Sequence, residues 1–367
     1  MPDAAVPTLP FRAEHIGSLL RPRALTNAFR AHREHQITDD ALEAALAASI
    51  REAVALQEAA GLRSITDGEF RRGSWFLGFV EAVDGLSVKE SLFAFGGDHA
   101  QWSCPYCHAK VRRTRGITTE EFKYVRGLTR RTPKVTMPSP TAMHFWRGKD
   151  TVDASVYPDV EEFFADLAAV YQQELKALDA LGATYVQLDE VPIAMLCDDK
   201  VRAKLRDRGI DPDALLRRYV KLINQALAGR PAGMTVGMHI CRGNYKGQWM
   251  AEGGYDPVAE LLFNGIDVDA FFLEYDSPRA GDFAPLRHVP RGKSVVLGLI
   301  STKVPETPSA DALKRRIDEA AKFLPLERLA LSPQCGFASS VGGNPVTVDD
   351  ERRKLERVVE VADAVWH

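Results

Sequence analysis

No apolar run in the sequence approaches the ~20 residues a membrane-spanning helix needs. The first residues, Met1-Pro-Asp-Ala-Ala-Val-Pro7, lack the basic start and apolar core of a secretory signal. Cysteine is scarce: five in 367 residues, an odd number that argues against a disulfide framework. That usage fits a reducing, cytoplasmic setting, where clustered cysteines point to metal or to chemistry. A strong charge of either sign is missing too. The net charge of −3 and pI near 6.3 exclude a general binder of nucleic acid or anionic membrane. No internal repeat or low-complexity tract stands out.

What is present is an alternation of short apolar runs and amphipathic helices, the pattern of parallel α/β folds. Eight strands are expected: Ala13–Ser18, Arg63–Asp67, Thr132–Met137, Tyr185–Asp189, Met234–Ile240, Ala270–Tyr275, Ser294–Ile300 and Arg328–Leu331. The helices between them carry end signals. Asp159 with Glu162 resembles a capping box before Phe163–Leu181, and Gly182 stops that helix. Asp211 precedes Pro212 at a first-turn position, and the helix it opens ends near Gly229. Thr347 with Asp350 caps the last helix. Eight strand–helix alternations predict a (β/α)8 TIM barrel in one domain, 1–367, with its active site where the strand C-termini meet.

One region breaks the rhythm. About Ser74–Arg131, between the second and third strands, contains Gly96-Gly97, a Cys104-Pro-Tyr-Cys107-His108 sequence and many basic residues. It is too long for a plain loop and reads as an inserted, partly β excursion over the barrel mouth.

The chemistry gathers at the strand ends. In Gly237-Met-His-Ile-Cys-Arg-Gly243 a buried strand runs into a turn. His239 and Cys241 share one face, roughly 7 Å apart along the backbone. An imidazole beside a thiolate suits zinc. Glu274, in Leu273-Glu-Tyr-Asp276, and Cys335, in Ser332-Pro-Gln-Cys-Gly336, are the natural remaining ligands. A thiolate-rich zinc centre binds an incoming thiol, lowers its pKa from ~8.5 and holds it as a nucleophile, which suits alkyl transfer to sulfur. The carboxylate is the ligand most easily displaced. Other strand ends bring His15-Ile-Gly-Ser18, Thr66-Asp-Gly-Glu69-Phe-Arg-Arg72 and Gln187-Leu-Asp189-Glu190.

In order and surroundings Ile16-Gly-Ser18, Asp189-Glu190, His239-x-Cys241, Glu274 and Cys335-Gly336 resemble the catalytic half of cobalamin-independent methionine synthase. The resemblance runs from about Phe11 to Trp366. It implies zinc held by His239, Cys241, Glu274 and Cys335, activating homocysteine for methylation to methionine. It also implies that Ile16, Gly17, Ser18, Glu69 and Asp189 hold the amino-acid end of homocysteine. The residue types make independent sense, because an ammonium needs carboxylates and a carboxylate needs backbone or hydroxyl donors. Trp146 takes the place of a tryptophan that stacks on the folate donor. Two features depart from the family. The chain has no room for the second barrel that helps hold the folate's polyglutamate tail. Gly298-Leu-Ile-Ser-Thr-Lys303-Val-Pro305 also lacks the histidine that follows the seventh strand in the folate enzyme. The expected partners are therefore a small-molecule thiol and a methyl donor, folate-type or another carrier.

Other readings stand beside this one. The same superfamily chemistry could move an alkyl group to a different thiol, or demethylate a metabolite with a thiol or tetrahydrofolate as acceptor. Cys104 and Cys107 match a glutaredoxin-type redox pair, and with His108 the haem-attachment pattern. A half zinc knuckle or two ordinary thiols fit their mid-chain position better. Lys110, Arg112, Arg113, Arg115, Arg126, Arg130, Arg131 and Lys134 form either a solvated face or an attractor for an anionic tail. His15 either caps a strand or reaches the cavity, and Cys197 reads as a buried small hydrophobe.

Overall fold

A computed structural model describes residues 10–93 and 102–367. Its strands are β1 (Ser64–Ile65), β2 (Val83–Glu90), β3 (Ser103–Arg113), β4 (Thr132–Pro133), β5 (Val135–Pro138), β6 (Tyr185–Glu190), β7 (Thr235–Ile240), β8 (Ala270–Glu274), β9 (Ser294–Ile300) and β10 (Leu329–Pro333). The main helices are α1 (Arg23–Arg33), α2 (Asp39–Ala59), α3 (Leu77–Ala82), α4 (Thr119–Leu128), α5 (Val160–Ala180), α6 (Pro192–Met195), α7 (Asp199–Arg206), α8 (Pro212–Leu227), α9 (Ala259–Gly265), α10 (Ala310–Ala321) and α11 (Val348–Trp366). No helix of the described residues is long and apolar enough to cross a membrane.

The fold is a TIM barrel. Strands β5 to β10 form one parallel sheet in chain order. Helices follow most of them, as right-handed parallel crossovers require. Closure is irregular. The expected first strand, Ala13–Ser18, makes one parallel bridge, Ala13 with Leu331, and Glu14 N–H donates to the Leu331 carbonyl at 2.9 Å. Side chains replace its missing ladder: Thr66 Oγ1 donates to the Gly17 carbonyl at 2.6 Å, and Gln187 Nε2 to the Ile16 carbonyl at 2.6 Å. The expected second strand contracts to β1, which pairs in parallel with β4. The expected third is split into β4 and β5 at Lys134.

Lys134 causes a correction. Its ammonium lies inside the barrel, 3.1 Å from Glu14, and both side chains are fully buried, so it belongs to no solvated basic face. Glu14 also accepts from Ser64 Oγ at 2.9 Å and Tyr185 Oη at 2.8 Å. One carboxylate thereby ties together the first-strand segment, β1, the β4–β5 junction and β6. Above this polar layer the interior is filled by Ile16, Ala270, Phe272, Val296 and Ala330.

The helix ends follow their signals. Asp159 accepts from Glu161 N–H and opens α5, and Gly182 at φ 83° follows its end. The capping box of Asp159 with Glu162 reduces to that single cap. Asp211 opens α8 through Asp213 N–H. Thr347 and Asp350 form the reciprocal capping box of α11.

The expected excursion is present as α3, the antiparallel hairpin β2–β3 and α4. Gly96-Gly97 lies outside the described residues. The hairpin does not roof the barrel but lies along its flank against α5. Arg113 pairs with Glu174 at 2.7 Å, and Val111 N–H donates to Tyr157 Oη at 2.9 Å. Among the described residues of the excursion, Trp75, just before α3, and Trp102, just before β3, reach the mouth.

Removing one partner of the interior ion pair strands the other in apolar surroundings. Lys134→Met is expected to cost about 3–5 kcal/mol of stability. Chemical denaturation should show the double variant Glu14→Gln/Lys134→Met recovering part of that loss.

Candidate active site

The adjacent parallel strands β6 and β7 are in register, so Asp189 lies directly beside His239. Residues paired this way point to the same face, and Asp189 Oδ1 accepts from His239 Nδ1 at 3.0 Å. Gln187, two residues earlier on that face, donates to the same oxygen at 2.8 Å and fixes it. With Nδ1 engaged, Nε2 is left buried and without a hydrogen-bond partner. Cys241, two residues on, and Cys335, just past β10, complete a group whose ligand atoms lie within 4.8 Å of one another. Their sulfurs are 3.3 Å apart.

A carboxylate-held imidazole with a bare second nitrogen facing two sulfurs is the arrangement of a metal-binding histidine and its outer support. Burial alone would depress the His239 imidazolium. Asp189 and the Cys241 sulfur instead raise it to about 10. The pocket therefore favours a cation, and a soft divalent metal fits both the field and the donor set. Among the described residues this is the one such group.

The expected fourth ligand is not in it. Glu274 ends β8 fully buried, and its carboxylate accepts from Arg242 N–H at 2.9 Å and from Arg279. Lys303 Nζ lies 3.8 Å away and the Arg242 guanidinium 3.9 Å. Burial pushes this carboxyl up, but Lys303, Arg242 and Arg279 outweigh it and bring it to about 2. So three of the four expected ligands meet, and the fourth is turned to a cluster of cations that no local motif announced. Lys303 stands in the stretch that lacks the expected histidine. Its buried ammonium makes no hydrogen bond and is drawn toward Glu274 and both sulfurs.

A cleft opens on the three ligands. Ile16, Ser18, Glu69, Asp189 and Trp146 all line it. Gly17 does not, but glycine is needed there: a Cβ would meet Thr136 Cγ2 at 2.7 Å, at a φ of 131°. Asp189, expected to hold an amino group, is committed through one oxygen to His239 and Gln187. Glu69 adopts a left-handed φ of 61°, and burial, partly opposed by Arg72, moves its carboxyl up to about 7.

Trp146 is only 1% exposed, with neighbouring rings packed nearly perpendicular to it. Two tryptophans outside the expected set, Trp75 and Trp102, are half-buried and give the same cleft more open aromatic surface. Trp75 opens the excursion and Trp102 lies at its middle, just before β3, and no local motif marked either one.

Cys104 and Cys107 lie along β3, away from any helix start, and are fully buried. Burial pushes both thiols up to about 11, the opposite of what a redox pair needs. His108 contacts the Gly85 carbonyl at 3.2 Å, and no half knuckle forms among the described residues. Lys110 and Arg113 are consumed by Glu162 and Glu174, which weakens an anionic-tail role for the basic stretch. His15 contacts the Ser64 carbonyl at 3.1 Å, away from the cleft. Cys197 is buried, as its surroundings implied.

The family profile described as cobalamin-independent synthase, catalytic domain, matches residues 11–364. The chain belongs to this family. It is 38% identical over 361 residues to the uncharacterized protein YxjH of Bacillus subtilis, covering 97% of this chain and 95% of that one. It is 30% identical over 332 residues to a methionine synthase of Pyrococcus abyssi, covering 88% and 85%. A solved Listeria monocytogenes structure, provisionally assigned as a vitamin-B12-independent methionine synthase, superposes with a TM-score of 0.78 at 34% identity. That match covers 98% of this chain and 99% of the other.

Metal analysis after dialysis should separate the two cysteine sets. Cys335→Ser is expected to lose stoichiometric metal, and Cys104→Ser to keep it. Asp189→Asn, which frees the imidazole, should weaken metal affinity about 10–100-fold in chelator competition.

Proposed function

We infer that this chain is a zinc-dependent methyltransferase that methylates a thiol, homocysteine, to give methionine, working as one barrel domain. The observation that carries the reading is the His239, Cys241 and Cys335 group at the floor of a cleft that also exposes Glu69 and Ser18. Relatives named methionine synthase support the acceptor. The buried, high-pKa Cys104 and Cys107 speak against the redox alternative.

Zinc bound by the three side chains would supply the Lewis acidity that brings an incoming thiol, ordinarily near ~8.5, to thiolate at neutral pH. The chain's residues do the rest. Glu69 accepts the substrate ammonium, and Ser18 with the backbone around Gly17 faces its carboxylate, which aims the sulfur at the metal group. Asp189 keeps the His239 ring oriented. Trp75, Trp102 and Trp146 wall the open side of the cleft and give a flat donor an apolar seat facing the sulfur.

We assign the donor to the methyltetrahydrofolate type. The sulfur lone pair forms the new S–CH3 bond as the donor's N–CH3 bond breaks. The departing nitrogen takes a proton, and the thiol's proton leaves to solvent. Holding sulfur and methyl carbon in line within the cleft lowers the barrier by orientation.

Homocysteine binding to metal-loaded protein should release about one proton at pH 7. Calorimetry in buffers of different ionisation enthalpy reads this directly, and proton-neutral binding would sink the thiolate step.

Donor recognition has its own test. With homocysteine held constant, methyltetrahydrofolate carrying one or several glutamates should be turned over, and methylcobalamin or sulfonium compounds should not. Trp102→Ala should raise the donor KM about tenfold, equivalent to ~1.4 kcal/mol, with homocysteine affinity unchanged.

A further inference from the structure

Glu69 is an awkward group on which to build a receptor. It is buried, its backbone is left-handed, and its carboxyl sits near the pH at which it would lose its charge. What surrounds it is correspondingly elaborate. Thr136 Oγ1, on β5, donates to Glu69 Oε1 at 2.8 Å. The same hydroxyl accepts from Arg72 Nη1 at 3.1 Å, and Arg72 Nη2 donates to the Thr136 carbonyl at 2.5 Å. Arg72 Nη1 lies 3.8 Å from Glu69 Oε2. Arg72 is itself buried and gripped from the far side by Glu121 of α4, at 2.7 and 3.4 Å. Arg21 Nη2 donates to the carbonyls of Glu69 and Arg72 at 2.7 and 2.6 Å, which holds the left-handed turn.

We propose that Arg72 is the positioning residue of the amino-group receptor, aiming Glu69 through Thr136 and held in turn by Glu121 of the inserted helix. This rests on the reading of the cleft as an amino-acid thiol site. Arg72 touches no substrate. It acts by orienting one oxygen of Glu69 and by favouring the ionised carboxylate that an ammonium needs.

Charged groups face Glu69 from three sides. Arg72 and Asp67 lie on its own loop, Asp189 is on β6, and Arg21 reaches in from the first-strand loop. Burial raises the carboxyl most, Asp189 and Asp67 add to it, and Arg72 and the Thr136 hydrogen bond oppose it. Removing Arg72 therefore moves the carboxyl further up. At neutral pH the group is then protonated, and ammonium binding recovers only as pH rises. The inserted segment thus contributes to substrate recognition from behind the cleft, through Glu121.

The test uses full-length, metal-loaded protein and two probes without a titrating thiol, L-methionine and 4-(methylsulfanyl)butanoate, which lacks the amino group. Calorimetry on the wild type should show a clear preference for methionine. Arg72→Met should reduce methionine affinity about tenfold or more at pH 7 and leave the des-amino probe within about twofold. The remaining methionine affinity should climb with pH over a more alkaline range than in the wild type. Arg72→Lys should restore part of the preference, and Glu121→Gln, which releases Arg72 from behind, should give a preference intermediate between Arg72→Met and the wild type. An Arg72→Met protein that retains the wild-type preference overturns the role of Arg72 and leaves the site reading standing. Equal loss of both probes, with a lowered melting temperature, also overturns it in favour of a purely architectural role. A wild type indifferent to the amino group overturns this proposal and the amino-acid site together.

Discussion

The in-register pairing of β6 with β7 is the constraint from which the site follows. It sets Asp189 beside His239, and one hydrogen bond of 3.0 Å then decides which imidazole nitrogen faces the sulfurs. A slip of one residue would turn both side chains to the opposite face of the sheet. Cys241 follows at the next position on that face, and β10 returns Cys335 to the same end because every barrel strand runs in the same direction. Three strand ends therefore deliver their side chains to one small volume.

Carboxylates and cations divide the surroundings of that volume. The cleft side carries the Asp189 and Glu69 carboxyls beside the His239 ring and the two cysteines. Behind it Arg242, Arg279 and Lys303 surround Glu274. Buried charges this dense persist only when each has a partner, and the partners here come from different strand ends. The cation cluster gives the Glu274 carboxylate a stable position apart from the His239, Cys241 and Cys335 group. Lys303 brings a fixed positive charge to a place where the related folate enzyme carries a histidine.

The excursion between β1 and β4 serves the site indirectly. Its hairpin is a flank element, its cysteines are core residues of that hairpin, and two of its basic side chains, Lys110 and Arg113, pair with Glu162 and Glu174 of α5. Its contributions to the cleft are two tryptophans at the mouth and Glu121 behind Glu69. An insertion that lengthens a barrel loop can in this way shape both the mouth of the cleft and the surroundings of Glu69 without touching the His239, Cys241 and Cys335 group.

The chain's own order of residues determined the barrel, its strands from Tyr185 onward and the His239, Cys241 and Cys335 group. Those depend on local patterns: apolar runs of strand length, capping residues such as Thr347 and Asp350, and an alternation that puts residues i and i+2 on one face. Residues brought together from separate elements of the chain leave no such periodic trace. Only the folded barrel could set Lys303 on Glu274, Lys134 on Glu14, or Glu121 on Arg72. Electrostatic pairing is set by distance in space, and a side chain buried by other parts of the chain takes whichever opposite charge that burial places within reach.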